Sequence, residues 1–156
     1  MNTNFLNSLT NFLKKRTFEL IGLMLIFLSV ALCISFATYS PSDPSFIYGK
    51  QNLEISNFFG IYGSLISDFL LQSFGLVSFL LLITFLLWGF KLILEKQLRK
   101  IIFKLFFVTL YLTFGCTFLF ITFNSSFWLI DNGNAGFTGK IIYNFIVEYL
   151  PTIENN

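Results

Sequence analysis

The sequence predicts an all-α integral membrane protein, with three transmembrane helices and two interfacial amphipathic helices arranged as an internal repeat. Three observations predict it. The 156 residues are 55% hydrophobic and 12% charged, with a mean hydropathy of +0.75, whereas soluble domains carry about 25% charged residues. Three uncharged apolar runs are each long enough to cross a bilayer. Between and after them, one polar, glycine-marked amphipathic segment occurs twice.

The elements follow in order. Residues 1–17 form a cytoplasmic N-terminal segment that ends on Lys14, Lys15 and Arg16. Leu20 to Tyr39 is then an uncharged run of 20 residues, which at 1.5 Å per residue covers roughly 30 Å of hydrocarbon. Its five Leu, three Ile, two Phe and one Val favour insertion by about 3 to 6 kcal/mol. From Ile55, apolar residues recur at Phe58, Phe59, Tyr62, Leu65, Ile66, Phe69 and Leu70, which is helical spacing. Ser56, Asn57, Gly60, Gly63, Ser64, Ser67 and Asp68 lie opposite. Such a helix lies along the membrane–water interface. The second span falls in the uncharged run Phe69 to Phe90, most hydrophobic after Gly75, and the third is Leu105 to Phe123.

The basic residues orient these spans. Eight of the ten Lys and Arg precede the first span or lie between the second and third; Lys50 and Lys140 are the exceptions. The positive-inside rule places that side in the cytoplasm and the segment from Ser40 to Asp68 outside. A cleaved signal peptide fits less well: the apolar run exceeds the 7–15 residues of an h-region and more spans follow. The basic clusters sit at headgroup level, where anionic lipid explains them without nucleic acid.

Gly60, Gly63, Asp68, Phe69 and Gln72 align without gaps to Gly136, Gly139, Asn144, Phe145 and Glu148, 76 positions later. The first copy (18–94) is a span, an outer loop, an interfacial helix and a span. After the basic loop (95–104), the second copy (105–150) repeats the first three and is followed by the tail (151–156). Ile141 to Leu150, about 15 Å as helix, is too short to cross. The sequence is therefore expected to be the front part of a longer design that lacks its fourth span.

The chemistry of catalysis is not expected in this chain. There is no histidine, which removes the commonest general base and metal ligand. No cofactor, metal or small-molecule substrate is expected. The run from Asn134 to Ile141 imitates a phosphate-binding loop. It has Asn134 where the first glycine belongs and Ile141 in place of the Ser or Thr after Lys140. Cys33 and Cys116 fall inside apolar runs and read as small packing residues. Ser29, Cys33 and Ala37, and Thr109, Thr113 and Thr117, form stripes expected to meet a neighbouring helix and share hydrogen bonds.

The block Tyr39, Ser40, Pro41, Ser42, Asp43, Pro44, Ser45, Phe46, followed by Asn57, Gly60, Gly63 and Asp68, and by Phe74 and Gly75 opening the second span, resembles the N-terminal four-span membrane domain of the FtsK/SpoIIIE family of bacterial DNA translocases. Glu19, at the head of the first span, fits the same pattern. The resemblance covers roughly residues 17–150. It implies a membrane anchor of the bacterial inner membrane at the division septum, acting in cell division and chromosome segregation. It also implies self-association and contact with other division proteins, the DNA-pumping ATPase lying outside this chain. Physically, Tyr39 suits an aromatic belt and Pro41 and Pro44 stop the helix beyond the bilayer. Asp43 suits a turn, and Gly60 and Gly63 admit a close backbone; the same block could instead dock a septal partner. The alternative is an unrelated small polytopic protein, a transporter accessory subunit or a holin-like pore former. The former should carry a buried ionisable residue and the latter a polar stripe, and neither is visible in the spans.

Overall fold

A computed structural model describes residues 3–45, 54–97, 100–126, 128–129 and 131–149. Five helices follow one another: α1 (Thr3–Ala37), α2 (Gly60–Phe74), α3 (Ser78–Glu95), α4 (Ile101–Phe123) and α5 (Gly136–Tyr149). A single 3₁₀ turn, Gly75–Val77, joins α2 to α3. Three stretches are long and apolar enough to cross a membrane: Asn7–Ala37, Gly60–Glu95 and Ile101–Phe123. The chain is an all-helical membrane protein.

Several boundaries differ from the sequence reading. Helix α1 has 35 residues, about 52 Å, so most of the N-terminal segment continues the first span instead of preceding it. The run Phe69 to Phe90 is not one helix. It breaks at Gly75, whose φ of 57° and ψ of −139° end α2. The span proper is α3, 18 residues or about 27 Å. Ile55, Phe58 and Phe59 precede α2, which opens at Gly60. The basic loop is shorter than 95–104, because α4 begins at Ile101 and takes Lys104 into its first turn.

The core lies between α1 and α3. Gly22 and Gly89 face each other so closely that a Cβ on either would stand 2.7 Å from the other's carbonyl oxygen. Absence of side chains there is what lets the two backbones meet. One to two turns on, the buried Ser29 hydroxyl donates to the Leu82 carbonyl at 2.8 Å. Beyond it Leu32, Phe36, Leu71, Leu82 and Leu129 close a buried cluster, with Phe36 edge-on to Phe79 at 5.3 Å.

Helix α2 is turned opposite to a helix on a soluble protein. Gly63, Ser64, Ser67 and Ser73 are buried, while Tyr62 is 76% and Phe69 54% exposed. Helix α5 repeats this only at its two glycines, Gly136 and Gly139, which are inside; Ile141, Phe145 and Tyr149 are exposed, and so are Lys140, Asn144 and Glu148. When the surroundings are acyl chains, hydroxyl groups find partners only inside the protein and large apolar groups lose nothing by facing out.

Helix α4 is the least covered. Phe106, Phe107, Phe114, Phe118 and Ile121 are all exposed. It touches the rest through Gly115 on Val77, the Tyr111 and Thr84 hydroxyls at 3.0 Å, and α5.

Candidate functional site

The residues picked out by motif gather at the end where α1, α2 and α5 meet. Helix α1 ends at Ala37, and the chain turns through Ser40 to Asp43, closed by the Asp43 amide donating to the Ser40 carbonyl at 3.1 Å. Pro41 occupies the second position of that turn, where its fixed φ is favourable. The buried Asp43 carboxylate then accepts two backbone N–H groups, from Ser56 at 3.0 Å and Asn57 at 2.9 Å. The Pro44 carbonyl accepts from Ser64 at 2.7 Å. One acid and one proline thus pin both ends of the loop that separates them from α2.

Asn57 is the centre of the joint. Its amide nitrogen donates to the Ser35 carbonyl at 2.9 Å, at the end of α1. Its side-chain oxygen accepts from the Phe59 amide at 3.1 Å. Ser35 in turn donates to the Gly63 carbonyl at 2.8 Å. A Cβ on Gly63 would collide with the Asn57 side-chain oxygen, so only glycine leaves room for that amide.

A second chain of bonds runs from α1 to the far half. The Tyr39 hydroxyl donates to Asp68 at 3.0 Å, Gln72 donates to the Tyr39 oxygen at 3.3 Å, and Asn132 donates to Gln72 at 2.9 Å. Tyr39 also packs edge-on against Trp128 at 5.4 Å. Burial pushes the Tyr39 phenol well above its ordinary range, the Gln72 bond opposing and the Asp68 charge reinforcing that shift. Tyr39 therefore stays protonated and remains the donor to Asp68.

Gly75 and the glycines of the second copy complete the joint. A Cβ on Gly75 would strike the Asn134 carbonyl, and one on Gly136 would stand 2.6 Å from the Ser73 carbonyl oxygen. The Leu76 amide donates to the Asn134 carbonyl at 2.9 Å. Gly139 presses on the Cys116 carbonyl of α4 at 2.6 Å for a Cβ placed there. Both amphipathic helices open alike. Gly60 has φ 61° and Gly136 φ 65°, and each donates its amide three residues back, to Asn57 at 2.8 Å and to Gly133 at 3.2 Å. Gly133 is the position 76 residues after Asn57.

Other sequence-derived residues lie elsewhere. Glu19 is at the opposite, basic end, paired with Arg16 at 2.6 Å and Lys96 at 2.5 Å, so it clamps α1 to the end of α3. Of the first small-residue stripe Ser29 is buried and bonds across to α3; Cys33 and Ala37 are exposed, because the face of α1 that α3 covers runs through Gly22, Ser29, Leu32 and Phe36. The threonine stripe shares no hydrogen bond across helices. Thr109, Thr113 and Thr117 return theirs to Leu105, Leu110 and Thr113 of the same helix. Cys116 is buried as expected of a packing residue. The sequence reading gives no packing role to Gly22, Gly89 or Ser35, and notes Gln72 and Asn134 only as a repeat position and as a departure from a phosphate loop. Lone glycines in Leu- and Phe-rich spans were the available signal for the first pair.

A polytopic helical protein with two like-opened loop–helix units locked together at one end is the class these features define. The chain matches the model of the 4TM region of DNA translocase FtsK/SpoIIIE over residues 14–154, and it belongs to that family. It is similar to the DNA translocase FtsK of Azospirillum brasilense, 32% identical over 94 residues, which are 60% of this chain and 15% of the relative. It is also similar to those of Rhizobium meliloti, 28% identical over 92% of this chain and 16% of the relative, and Rickettsia bellii, 29% identical over 78% of this chain and 15% of the relative. The chain therefore matches about a sixth or less of each of these relatives. No solved structure matches it significantly.

Proposed function

We propose that this chain is the membrane-anchoring part of an FtsK-type DNA translocase acting in bacterial cell division and chromosome segregation, and that it is not itself an enzyme. The family match over residues 14–154 carries this reading. The charge pattern supports an inner-membrane location with the N-terminus in the cytoplasm, since eight of ten Lys and Arg fall on one side of the spans. The joint of Asp43, Asn57, Tyr39 and Asp68 then faces away from the cytoplasm. It holds the loop end as one unit, which suits a surface offered to other division proteins at the septum or to further copies of the chain.

A fluorescent fusion in dividing cells tests it. Enrichment at midcell is the expected result, and uniform membrane staining would overturn the septal role. A periplasm-active phosphatase fused after Glu95 should be inactive and one fused after Ser45 active; the reverse pattern would overturn the orientation.

A further inference from the structure

The two ends of the membrane-crossing bundle are built on different terms. At the loop end, Asp43, Asn57, Asp68 and Gln72 find polar partners within the chain. At the basic end the acids run out. Glu95 is held by Lys91 at 3.5 Å, and Glu19 by Arg16 and Lys96. The sequence contains no other carboxylate before Asp43, nor between Asp68 and Asp131 apart from Glu95. Among the described residues, Lys14, Lys15, Lys100 and Lys104 are left without a carboxylate partner.

Two of these lysines are placed together. The Lys104 amide donates to the Lys100 carbonyl at 3.1 Å, so the two stand one turn apart at the start of α4, which Lys100 caps. Lys100 is held in the left-handed region at φ 53°, a conformation uncommon for a residue with a side chain. The Lys104 ammonium lies 5.9 Å from the centre of the Trp88 ring, across the hairpin from α3, within the reach of a cation–π contact. An indole beside a lysine at the end of a span marks the headgroup level of the bilayer. Leu87, one residue deeper in α3 than Trp88, is exposed.

We propose that the α3–α4 hairpin binds the headgroup of an anionic phospholipid, its phosphate held by Lys100 and Lys104 beside Trp88. A zwitterionic lipid brings the same phosphate together with an ammonium, which would sit in a field already short of negative charge. The site therefore selects net negative lipid, not phosphate alone. Nothing in this depends on which face of the membrane the basic end occupies.

The chain has two tryptophans, and Trp128 packs at the loop end against Tyr39. Full-length Trp128→Tyr protein in phosphatidylcholine vesicles makes Trp88 the reporter. Brominated phosphatidylglycerol should quench it at roughly a tenfold lower mole fraction than brominated phosphatidylcholine. Each of Lys100→Gln and Lys104→Gln should cut that preference about fivefold, the size expected for one cation at a membrane surface. Lys14→Gln/Lys15→Gln, which leaves the hairpin intact, should change it less than twofold. Equal quenching by the two lipids would overturn the site, and so would a preference that survives Lys100→Gln/Lys104→Gln. A loss as large in Lys14→Gln/Lys15→Gln would show diffuse charge in place of a site. Native mass spectrometry of the wild-type chain, mixed with equal amounts of the two lipids, reads the same preference without altering Trp128.

Discussion

The two halves of the molecule begin their amphipathic helices in the same way and finish them differently. Gly60 and Gly136 both open with positive φ after the same three-residue turn. In the first half the opening stands over a closed structure. Asn57 reaches back to Ser35, and α3 returns along α1 through the Gly22–Gly89 crossing. In the second half Asn134 reaches back to the end of α4, donating to Phe123 and Ser125 at 2.9 Å each. There α5, 14 residues long, packs on α4 through Gly139 at Cys116 and Tyr143 at Phe120 and leaves Phe106, Phe107 and Phe114 exposed. The comparison separates a local device, which a few residues encode, from burial of a span, which needs a second helix at close range.

The glycine openings offer the sharpest test, because they share a backbone conformation and differ in what surrounds them. A Cβ on Gly60 would meet nothing within 4 Å. Gly60→Ala should therefore cost only the left-handed penalty, about 1–2 kcal/mol. On Gly136 the same atom lands 2.6 Å from the Ser73 carbonyl oxygen, adding a packing cost of about 1–3 kcal/mol. Reversible unfolding in mixed micelles should rank Gly136→Ala well above Gly60→Ala; equal losses would mean that the junction yields.

A smaller contrast lies within the spans. Gly89→Ala drives a methyl into Ile26 and the Gly22 carbonyl and should cost about 1–3 kcal/mol. Gly115→Ala meets only the Val77 methyls at 3.3 Å, so its loss should stay below about 1 kcal/mol. If the two losses in the same unfolding assay are alike, the close packing of α1 on α3 has been overstated.

The two asparagines come next. Asn57→Ala removes a buried amide that bonds the Ser35 carbonyl and the Phe59 N–H, a loss of about 1–3 kcal/mol. Asn134→Ala gives up bonds at an exposed site, for about 0.5–1.5 kcal/mol. Amide hydrogen exchange at Phe59 should rise in the first variant and stay unchanged in the second. The smallest difference is expected between Ser29→Ala, which removes an interhelical bond worth about 0.6 kcal/mol, and Thr113→Val, whose hydroxyl serves only its own helix. The latter should fall within about 0.5 kcal/mol of wild type, and a larger loss would place a second partner on that face.

Much of this joint was readable from the chain. Asp43, Pro44, Asn57, Gly63 and Asp68 are polar or small residues set among apolar ones, and each makes a tight contact at the loop end. The stripes read less well. Ser29, Cys33 and Ala37 look equivalent at four-residue spacing, yet α3 crosses α1 on the face of Gly22, Ser29 and Phe36, and two of the three are left outside. A helix alone carries no mark of which side its neighbour will choose.

Sequence by itself determined that the chain crosses a membrane as helices, which apolar runs they occupy, and that one amphipathic unit occurs twice. These follow from hydropathy, from the length needed to cross hydrocarbon, and from the spacing of glycine and polar residues, all properties of short stretches. Tertiary structure alone decided that the serine and glycine face of α2 turns inward and that Gly22 meets Gly89. Each of these depends on which group stands opposite. In a solvent of acyl chains, hydroxyls and amides find partners only across the protein, and close contact goes to whichever residues leave room.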